Sequence, residues 1–343
     1  MDEFARRPQE DRLAFINEAA ARRDVTPIII EKDFWVCWTL RRMMAIPVLA
    51  DNLTFKGGTS LSKAYAIIER FSEDIDLTIG KHAPLIAEIK SPMQEGISGN
   101  ERQRRTKALK SAANAYVQTI AMPELTKAIT ISLGATKGWS VTIDPEDPDE
   151  QTILFEYPAA DATANHRSTH GYILPRIKLE FGARGEGEPA TIQTMTSYLA
   201  QEFPDELPDA QIKVSTLSAE RTFWEKVTIL HALHHGGKLR PGMSRHYYDT
   251  LKLAEKGIAD AALKNPELLA RVVLNKSLMF ADAKASYETA AIGTLKLLPE
   301  DELRTQLAQD YSAMEEMFMS PPPGFDDMMA SLAALEAQLN GQI

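Results

Sequence analysis

The first part of the chain has hydrophobic positions at a helical period. Residues 9–23 place Leu13, Ile16 and Ala20 on one stripe, which predicts an amphipathic helix. A second helix is predicted from Pro27, an imino acid suited to a first helical position, to about residue 44. Pro47 is expected to stop that helix.

A mixture of strands and helices follows. We predict a strand at 53–55, a Gly57-Gly58 turn, a helix at 60–70 and a strand at 75–79. Residues 80–99 are rich in Pro, Gly and Ser and predict mainly loop, before a long helix at 100–120. Further strands are predicted at 128–134, 138–143, 151–158, 172–181 and 190–195.

The pattern changes to a helical one after the Pro- and Asp-containing segment 204–209. Pro321-Pro322-Pro323 is a rigid break before the last of the predicted helices. These helices cover residues 218–235, 243–256, 259–281, 296–319 and 325–340. We therefore predict a mixed α/β domain over residues 1–210 and a helical domain over residues 211–343.

Composition narrows the class of protein. The chain has 343 residues, 44% hydrophobic and 25% charged, as expected of a soluble globular protein. The net charge of −10 argues against a general polyanion binder. The single cysteine, Cys37, lies in an apolar run and is expected in the core. No stretch approaches the roughly 18 uninterrupted apolar residues of a membrane span, so we expect a cytoplasmic protein without a membrane partner.

The glycine pair and the acidic pair that follows it are the main chemical signal. Glycines allow backbone N–H groups to approach phosphate oxygens, and a helix beginning at Ser60 would add positive partial charge. Asp74 and Asp76 alternate on a predicted strand, so both side chains point to the same face. Two such carboxylates can share divalent cations for phosphoryl or nucleotidyl transfer. Either motif alone is more often an ordinary turn or strand edge.

The ordered motifs resemble a known family. Gly-Gly-Thr-Ser followed by Arg70-x-Ser72-x-Asp74-Ile75-Asp76 resembles the DNA polymerase β-type nucleotidyltransferases. Two further segments, Ser218–His231 and Arg245–Leu251, resemble later motifs of the AbiEii/AbiGii toxins of type IV toxin–antitoxin systems. The resemblance covers roughly residues 26–255. It implies a polymerase β-type core with a mixed sheet, followed by a C-terminal helical domain.

The resemblance also implies roles for individual residues. Metal ligands would be Asp74, Asp76 and, on a neighbouring strand, Glu180, which with Lys178 lies on the polar face of an alternating segment. The catalytic set would be Asp74, Asp76, Lys226 and Asp249, with Asp249 orienting Lys226 or the nucleophile. The nucleotide would be bound by Gly57, Gly58, Thr59, Ser60, Lys63, Arg70, Ser72, Lys178, Arg221 and Arg245.

The implied activity is that of a nucleotidyltransferase toxin in abortive infection and phage defence. It would use Mg²⁺ or Mn²⁺ and an NTP, act on an acceptor such as a tRNA 3′ end or other RNA, and have a cognate antitoxin. Two alternatives stay open. One is nucleotidyl or phosphoryl transfer to a protein or small molecule, which the acidic net charge favours slightly, and the other is a nucleotide-binding module without turnover.

Two other clusters have weaker signals. His231, His234 and His235 have helical spacing but no fourth ligand nearby in the sequence, so a zinc site is not favoured. Basic residues at 102–110 could form a nucleic-acid track or an ordinary solvated helix face. An Arg245–Asp249 pair four residues apart could also be a simple intrahelical ion pair.

Overall fold

A computed structural model describes residues 1–161 and 174–342 of the chain. By compactness it divides into two units. Unit 1 comprises residues 1–64, 71–90 and 103–216. Unit 2 comprises residues 65–70, 91–102 and 217–343. No helix in the described part of the chain is long and apolar enough to cross a membrane.

The sheet is built from the described strands β1 (Leu53–Lys56), β2 (Ile75–Ile79), β3 (Ser140–Ile143), β4 (Thr152–Glu156), β5 (Arg176–Gly182), β6 (Ala190–Met195) and β7 (Ile212–Leu217). Their order is β3-β4-β5-β2-β1-β7-β6. β2 runs parallel to β5, and β1 runs parallel to β7, whereas β1–β2, β3–β4 and β4–β5 are antiparallel. The predicted mixed-sheet α/β class is confirmed.

The helices of the first 216 residues are α1 (Asp2–Ala5), α2 (Gln9–Arg23), α3 (Pro27–Met44), α4 (Pro47–Ala50), α5 (Gly57–Thr59), α6 (Gly99–Tyr116), α7 (Met122–Leu133) and α8 (Tyr198–Glu202). A wider π-helical turn, Ser60–Ala64, continues α5, and a second one, Val117–Ala121, joins α6 to α7. Trp35 of α3 stacks on Tyr157 and Trp38 stacks on Phe155, with ring centroids 5.3 and 5.9 Å apart. Helix α3 thus supplies much of the apolar cover of the sheet, and Cys37 is buried in it as predicted.

The later helices are α9 (Ala219–Gly236), α10 (Ser244–Glu255), α11 (Ile258–Leu263), α12 (Pro266–Met279), α13 (Asp301–Ser312) and α14 (Phe325–Leu339). Three-residue 3₁₀ turns lie at Tyr287–Thr289 and Glu315–Met317. Trp224 and Tyr247, both fully buried, come from α9 and α10. The core of unit 2 is therefore made between helices.

Several predicted elements were wrong. Residues 128–133 are helical and Gly134 ends the helix, because Leu125, Ile129 and Leu133 are buried at a four-residue spacing that only a helix places on one side. The predicted helix 60–70 ends at Ala64, since Ala66 adopts a left-handed backbone with φ 51°.

The remaining errors lie at prolines and at one short strand. The predicted helix 259–281 is two helices separated before Pro266, and the predicted helix 296–319 begins only at Asp301, after Pro299. Strand β7 was missed, although the apolar Ile212 and Val214 alternate with the polar Lys213 and Ser215 in its sequence.

Candidate functional site

Gly57 brings the turn after β1 against a carboxylate. Its φ is +79°, and a Cβ built there would lie 1.9 Å from Oδ2 of Asp76. A side chain at this position would therefore suffer both backbone strain and a direct clash. The glycine allows the backbone of the turn to contact Asp76.

The hydroxyls that follow the glycines support the turn itself. Thr59 Oγ1 donates to the carbonyl of Asp74 at 2.5 Å and lies within hydrogen-bond distance of Ser72 Oγ, at 3.1 Å. Ser60 Oγ donates to the carbonyl of Gly57 at 2.8 Å, and both Thr59 and Ser60 are fully buried. These contacts tie the turn to the segment that precedes β2.

The sheet places polar residues of four strands in one row. In the register of the strands, Lys56 of β1 lies opposite Asp76, Asp76 lies opposite Glu180, and Glu180 lies opposite Thr152. Residues opposite one another on neighbouring strands share a face. The predicted third carboxylate, Glu180, thus stands beside the second aspartate. Lys56 was missed by the sequence analysis, although its place directly before the glycine pair was a usable signal.

Lys178 belongs to the same face. Its Nζ lies 3.1 Å from Glu180 Oε1 and 3.6 Å from Asp144 Oδ2. Desolvation would lower the pKa of Lys178, but the carboxylates of Glu180, Asp74 and Asp144 together outweigh it, and the pKa is raised. Lys178 and Glu180 keep 36% and 42% of their side chains exposed, so both remain accessible to a ligand.

Asp74 lies in a crowd of negative charge. Burial, followed by the carboxylates of Glu73, Asp76 and Glu180, raises the pKa of Asp74 to about 7. Lys32 of α3 offsets part of this effect, and its ammonium pairs with Glu73 and donates to the carbonyl of Leu174 at 2.7 Å. An added cation would stabilise the ionised form of Asp74.

Lys32 was also missed by the sequence analysis. Glu31, Lys32 and Asp33 are three consecutive charges, all buried, inside the apolar helix α3. Charged residues are almost never buried unless they are paired. Their position between Ile30 and Phe34 was therefore a signal that could have been used.

The donor chemistry of this face fits a divalent cation. Carboxylate oxygens are the ligands that Mg²⁺ prefers, and Asp74, Asp76 and Glu180 supply them near the glycine turn. Among the described residues, however, no three His, Cys, Asp or Glu side chains are gathered closely enough to hold a metal ion. The three carboxylates are neighbours in a region of excess negative charge, but their oxygens do not converge on one point.

Lys63 occupies a different environment from the one expected of a phosphate ligand. Its Nζ lies 2.7 Å from Asp33 Oδ1 and 3.4 Å from the centre of the Tyr198 ring, and its side chain is 5% exposed. The cation is thus engaged inside unit 1. We do not propose it as a nucleotide ligand.

In unit 2, one buried carboxylate joins two cations. Arg70 contacts Asp249 through two parallel hydrogen bonds, Nε to Oδ1 at 2.7 Å and Nη2 to Oδ2 at 2.8 Å. Lys226 Nζ donates to Asp249 Oδ2 at 2.6 Å. Arg70 is 2%, Lys226 6% and Asp249 0% exposed. These three residues are called the Asp249 cluster below.

The Asp249 cluster is electrostatically coupled. Burial would raise the pKa of Asp249, but the charges of Arg70 and Lys226 outweigh it and hold the pKa well below its usual range. The pKa of Lys226 is lowered, mainly by burial and also by the positive charges of Arg70 and Arg245, against the attraction of Asp249. An additional anion beside Lys226 would stabilise its charged form.

Arg221 and Arg245 lie about one helical turn before Lys226 and Asp249, respectively. Arg221 is fully buried, and its Nε donates to Glu225 Oε1 at 3.2 Å, one helical turn away. Arg245 is half-buried on α10. The ion pairs of Asp249 are made with Arg70 and Lys226, so the simple Arg245–Asp249 pair is not the arrangement found.

The weaker clusters have mainly structural contacts. Nε2 of His231 lies 3.1 Å from the Ser286 carbonyl, and its Nδ1 accepts from the Lys296 amide, so this ring fixes a loop. On the basic helix α6, Arg102 bonds the Pro92 carbonyl and Lys110 bonds Asp149. Neither observation adds to a zinc site or a nucleic-acid track.

Comparisons with known proteins identify the family. The family model described as "Nucleotidyl transferase AbiEii toxin, Type IV TA system" matches residues 38–331. Among solved structures, the chain is similar to MenT4, a nucleotidyltransferase toxin from Mycobacterium tuberculosis H37Rv, at 13% identity and a TM-score of 0.38, covering 95% of this chain and 98% of that one. No curated protein matches. On the family match, which extends over most of the sequence, the chain belongs to the AbiEii nucleotidyltransferase toxin family of type IV toxin–antitoxin systems.

Proposed function

We propose that the protein transfers a nucleotide from an NTP to the terminal hydroxyl of a tRNA, in a reaction that depends on Mg²⁺ or Mn²⁺. The observation that carries the proposal is the row in which Asp76 and Glu180 stand opposite each other, with Gly57 against Asp76. Family membership supports the reaction class, and the carboxylate chemistry supports the metal.

The acidic face and the glycine turn supply the first set of proposed ligands. Asp74, Asp76 and Glu180 are the proposed ligands, and Lys178 keeps Glu180 in place through its 3.1 Å contact. A bound divalent cation would neutralise charge on the transferred phosphate. Gly57 and Gly58 would admit the triphosphate to the backbone, while Thr59, Ser60 and Ser72 maintain the shape of the turn.

A second set of proposed ligands carries positive charge, as the family resemblance implies. Lys226 is the proposed ligand of the triphosphate, because a phosphate oxygen would stabilise its buried ammonium. Asp249 and Arg70 would orient it through the contacts of the Asp249 cluster. Arg221 and Arg245 are proposed as further positive charges for the nucleotide.

The proposed chemistry is an in-line displacement. The acceptor oxygen attacks the α-phosphorus, the bond to the β-phosphate oxygen breaks, and pyrophosphate leaves. Positive charge fixed beforehand at the phosphates favours the transition state, in which negative charge develops on the leaving group.

The biological setting follows from the family. A type IV system implies a cognate antitoxin. We propose that the protein acts in the cytoplasm, in phage defence, and inhibits growth when it is made without that antitoxin.

The test is label transfer by the full chain. Purified protein is incubated with Mg²⁺, total tRNA and each NTP carrying radiolabel at the α-phosphate, and the products are separated on a denaturing gel. We expect label on tRNA with wild type and with Asp51→Ala, which changes an exposed aspartate, and at least about a hundredfold less with Asp74→Ala.

The other outcomes separate the alternatives. Label on protein or on a small molecule would replace the RNA acceptor, and transfer of label from the γ-phosphate alone would indicate phosphoryl transfer. Intact nucleotide after long incubation would indicate a binding module. Equal labelling by wild type and Asp74→Ala would contradict the proposed metal site.

A further inference from the structure

The start of helix α10 is held by a residue from another helix. Asp310 of α13 accepts three hydrogen bonds there. Its Oδ1 accepts one from the Gly242 amide at 2.6 Å. Its Oδ2 accepts one from the Ser244 amide at 2.8 Å and one from the Ser244 hydroxyl at 2.6 Å. The residue at the N-cap of α10, Met243, provides no side-chain hydrogen bond. Asp310 therefore does what an N-cap side chain does, and its negative charge suits the positive end of the helix.

The capped helix carries the carboxylate of the Asp249 cluster. Asp249 lies five residues after Ser244, or about 7.5 Å along the helix axis at the usual rise. A helix is rigid over that length, so a fixed start fixes the height and rotation of Asp249. Loosening Asp310 would change where that carboxylate stands.

The same stretch of chain also holds the arginine of the cluster. Phe318 forms an antiparallel bridge with Arg70, and the Met319 amide donates to the Glu69 carbonyl at 3.0 Å. Ser320 Oγ donates to Glu69 Oε2 at 2.6 Å. The backbone around Arg70 is not part of a helix, and these bonds pair it with the segment 318–320.

An aromatic contact joins the two anchor points. The ring of Phe318 packs edge-on against Tyr248, the residue directly before Asp249, with centroids 5.0 Å apart. It also packs against Tyr311, which follows Asp310, at 5.6 Å. One short stretch, Asp310–Ser320, thus contacts the backbone of Arg70, the start of α10 and the neighbour of Asp249.

We infer that Asp310–Ser320 is a brace that sets the geometry of the Asp249 cluster, with Asp310 as a positioning residue. The inference rests on the proposed function in so far as the cluster orients Lys226 toward a nucleotide. A paired fork between Arg70 and Asp249 demands that both partners stand in fixed places, and the brace holds each of them. It gives a role in the reaction to a segment that lies after residues 26–255, over which the sequence motifs extend.

The kinetic test uses three variants of the full chain. Asp310→Asn puts a donor where Ser244 needs an acceptor, Asp310→Glu keeps a carboxylate, and Asp326→Asn removes an exposed acidic group that pairs with Arg304 in the same unit. Label transfer to total tRNA is measured well below the melting midpoint of each variant. We expect Asp310→Asn to lower kcat at least about tenfold with KM for the NTP changed less than about threefold.

The controls define what would overturn the brace. Asp310→Glu is expected to recover most of the lost kcat, and Asp326→Asn to stay within about twofold of wild type. A kcat for Asp310→Asn equal to that of wild type, or lowered no more than that of Asp326→Asn, would overturn the inference.

Hydrogen exchange separates this inference from the proposed function. Without any substrate, peptides covering 242–249 and 66–71 are compared in wild type and Asp310→Asn. We expect exchange over 242–249 at least about tenfold faster in the variant, and unchanged exchange there would overturn the brace. If wild type transfers nucleotide to no acceptor, the proposed function fails while the exchange result still decides the brace.

Discussion

The two charged groups of this protein are built on opposite electrostatic principles. Around Asp74 in unit 1, carboxylates neighbour one another, and burial with like charge raises the pKa of Asp74 to about 7. Around Asp249 in unit 2, a carboxylate neighbours two cations, which hold its pKa well below the usual range against the effect of burial. The negative charge of the first group would be neutralised by an added cation, whereas the second group supplies most of its own neutralisation.

Exposure follows the same division. Glu180 and Lys178 keep 42% and 36% of their side chains exposed, while Asp249 and Arg70 are almost fully buried. The exposed side chains of Lys178 and Glu180 are therefore open to solvent ions, whereas the charges of the Asp249 cluster are shielded from them. On the proposed function, the acidic face would bind ligands, and the Asp249 cluster would contribute to both stability and function.

The largest effect on stability is expected from Asp249→Asn. The substitution preserves shape but leaves Arg70 and Lys226 buried without their counterion, so we expect the free energy of unfolding to fall by about 3–5 kcal/mol. Urea denaturation of the full chain measures it. Adding Lys226→Met should recover part of the loss, because one unpaired charge is removed. A loss below about 1 kcal/mol would show that the charge of Asp249 is not needed to neutralise Arg70 and Lys226.

Gly57→Ala is expected to have the next largest effect, this time on the acidic face. The new Cβ would meet Asp76, and φ is positive, so we expect a loss of about 2–3 kcal/mol together with most of the activity. Gly138→Ala is the matched control, because its φ is +84° but nothing lies within 4 Å of the added Cβ. If the two variants lose equal stability and activity, the contact with Asp76 is unimportant.

The contrast between the two groups was only partly predictable from sequence. The two-residue period of β5 placed Lys178 and Glu180 on one face, and motif order pointed to Asp74, Asp76 and Asp249. That Asp76 stands opposite Glu180 depends on strand register, and register is fixed by long-range pairing between β2 and β5. The local sequence pattern contains no information on this register.

Choosing among lysines was harder still. Lys63 follows the glycine pair and was predicted to bind phosphate, but it forms an ion pair with Asp33, thirty residues earlier in the sequence. Lys32 of helix α3 offsets negative charge at Asp74, although the sequence analysis named no charged residue in that helix. Both outcomes depend on which helix face meets the sheet, which is a property of tertiary packing.

Asp74→Asn should act on stability in the opposite direction from Asp249→Asn. Removing one charge from a crowd of carboxylates relieves repulsion, so without metal we expect stability unchanged or higher by about 1 kcal/mol. Millimolar Mg²⁺ should raise the melting midpoint of wild type and of the control Asp51→Asn, and much less that of Asp74→Asn. Thermal denaturation with and without Mg²⁺ measures both effects. Equal Mg²⁺ shifts in all three proteins would place the metal elsewhere.

Opposite pH dependences of stability are also expected from the two groups. The pKa of Asp74 is about 7 in the folded chain and near 4 when unfolded, so the folded state binds the extra proton between these values. Metal-free stability should therefore fall as pH rises from about 4 to about 7, by no more than about 1.4 kcal/mol per pH unit from this group.

Asp249 should give the reverse slope in a lower window. Its folded pKa lies below its unfolded one, so its contribution is complete above about pH 4 and is lost as the pH falls further. The free energy of unfolding is measured by urea denaturation of wild type, Asp74→Asn and Asp249→Asn across both pH ranges. Subtracting the value for each variant from that for wild type gives the contribution of each carboxylate. Wild type minus Asp74→Asn should slope downward with pH above pH 4, and wild type minus Asp249→Asn upward below it. Two slopes of the same sign would contradict the prediction that the pKa of Asp74 is raised and the pKa of Asp249 is lowered in the folded chain.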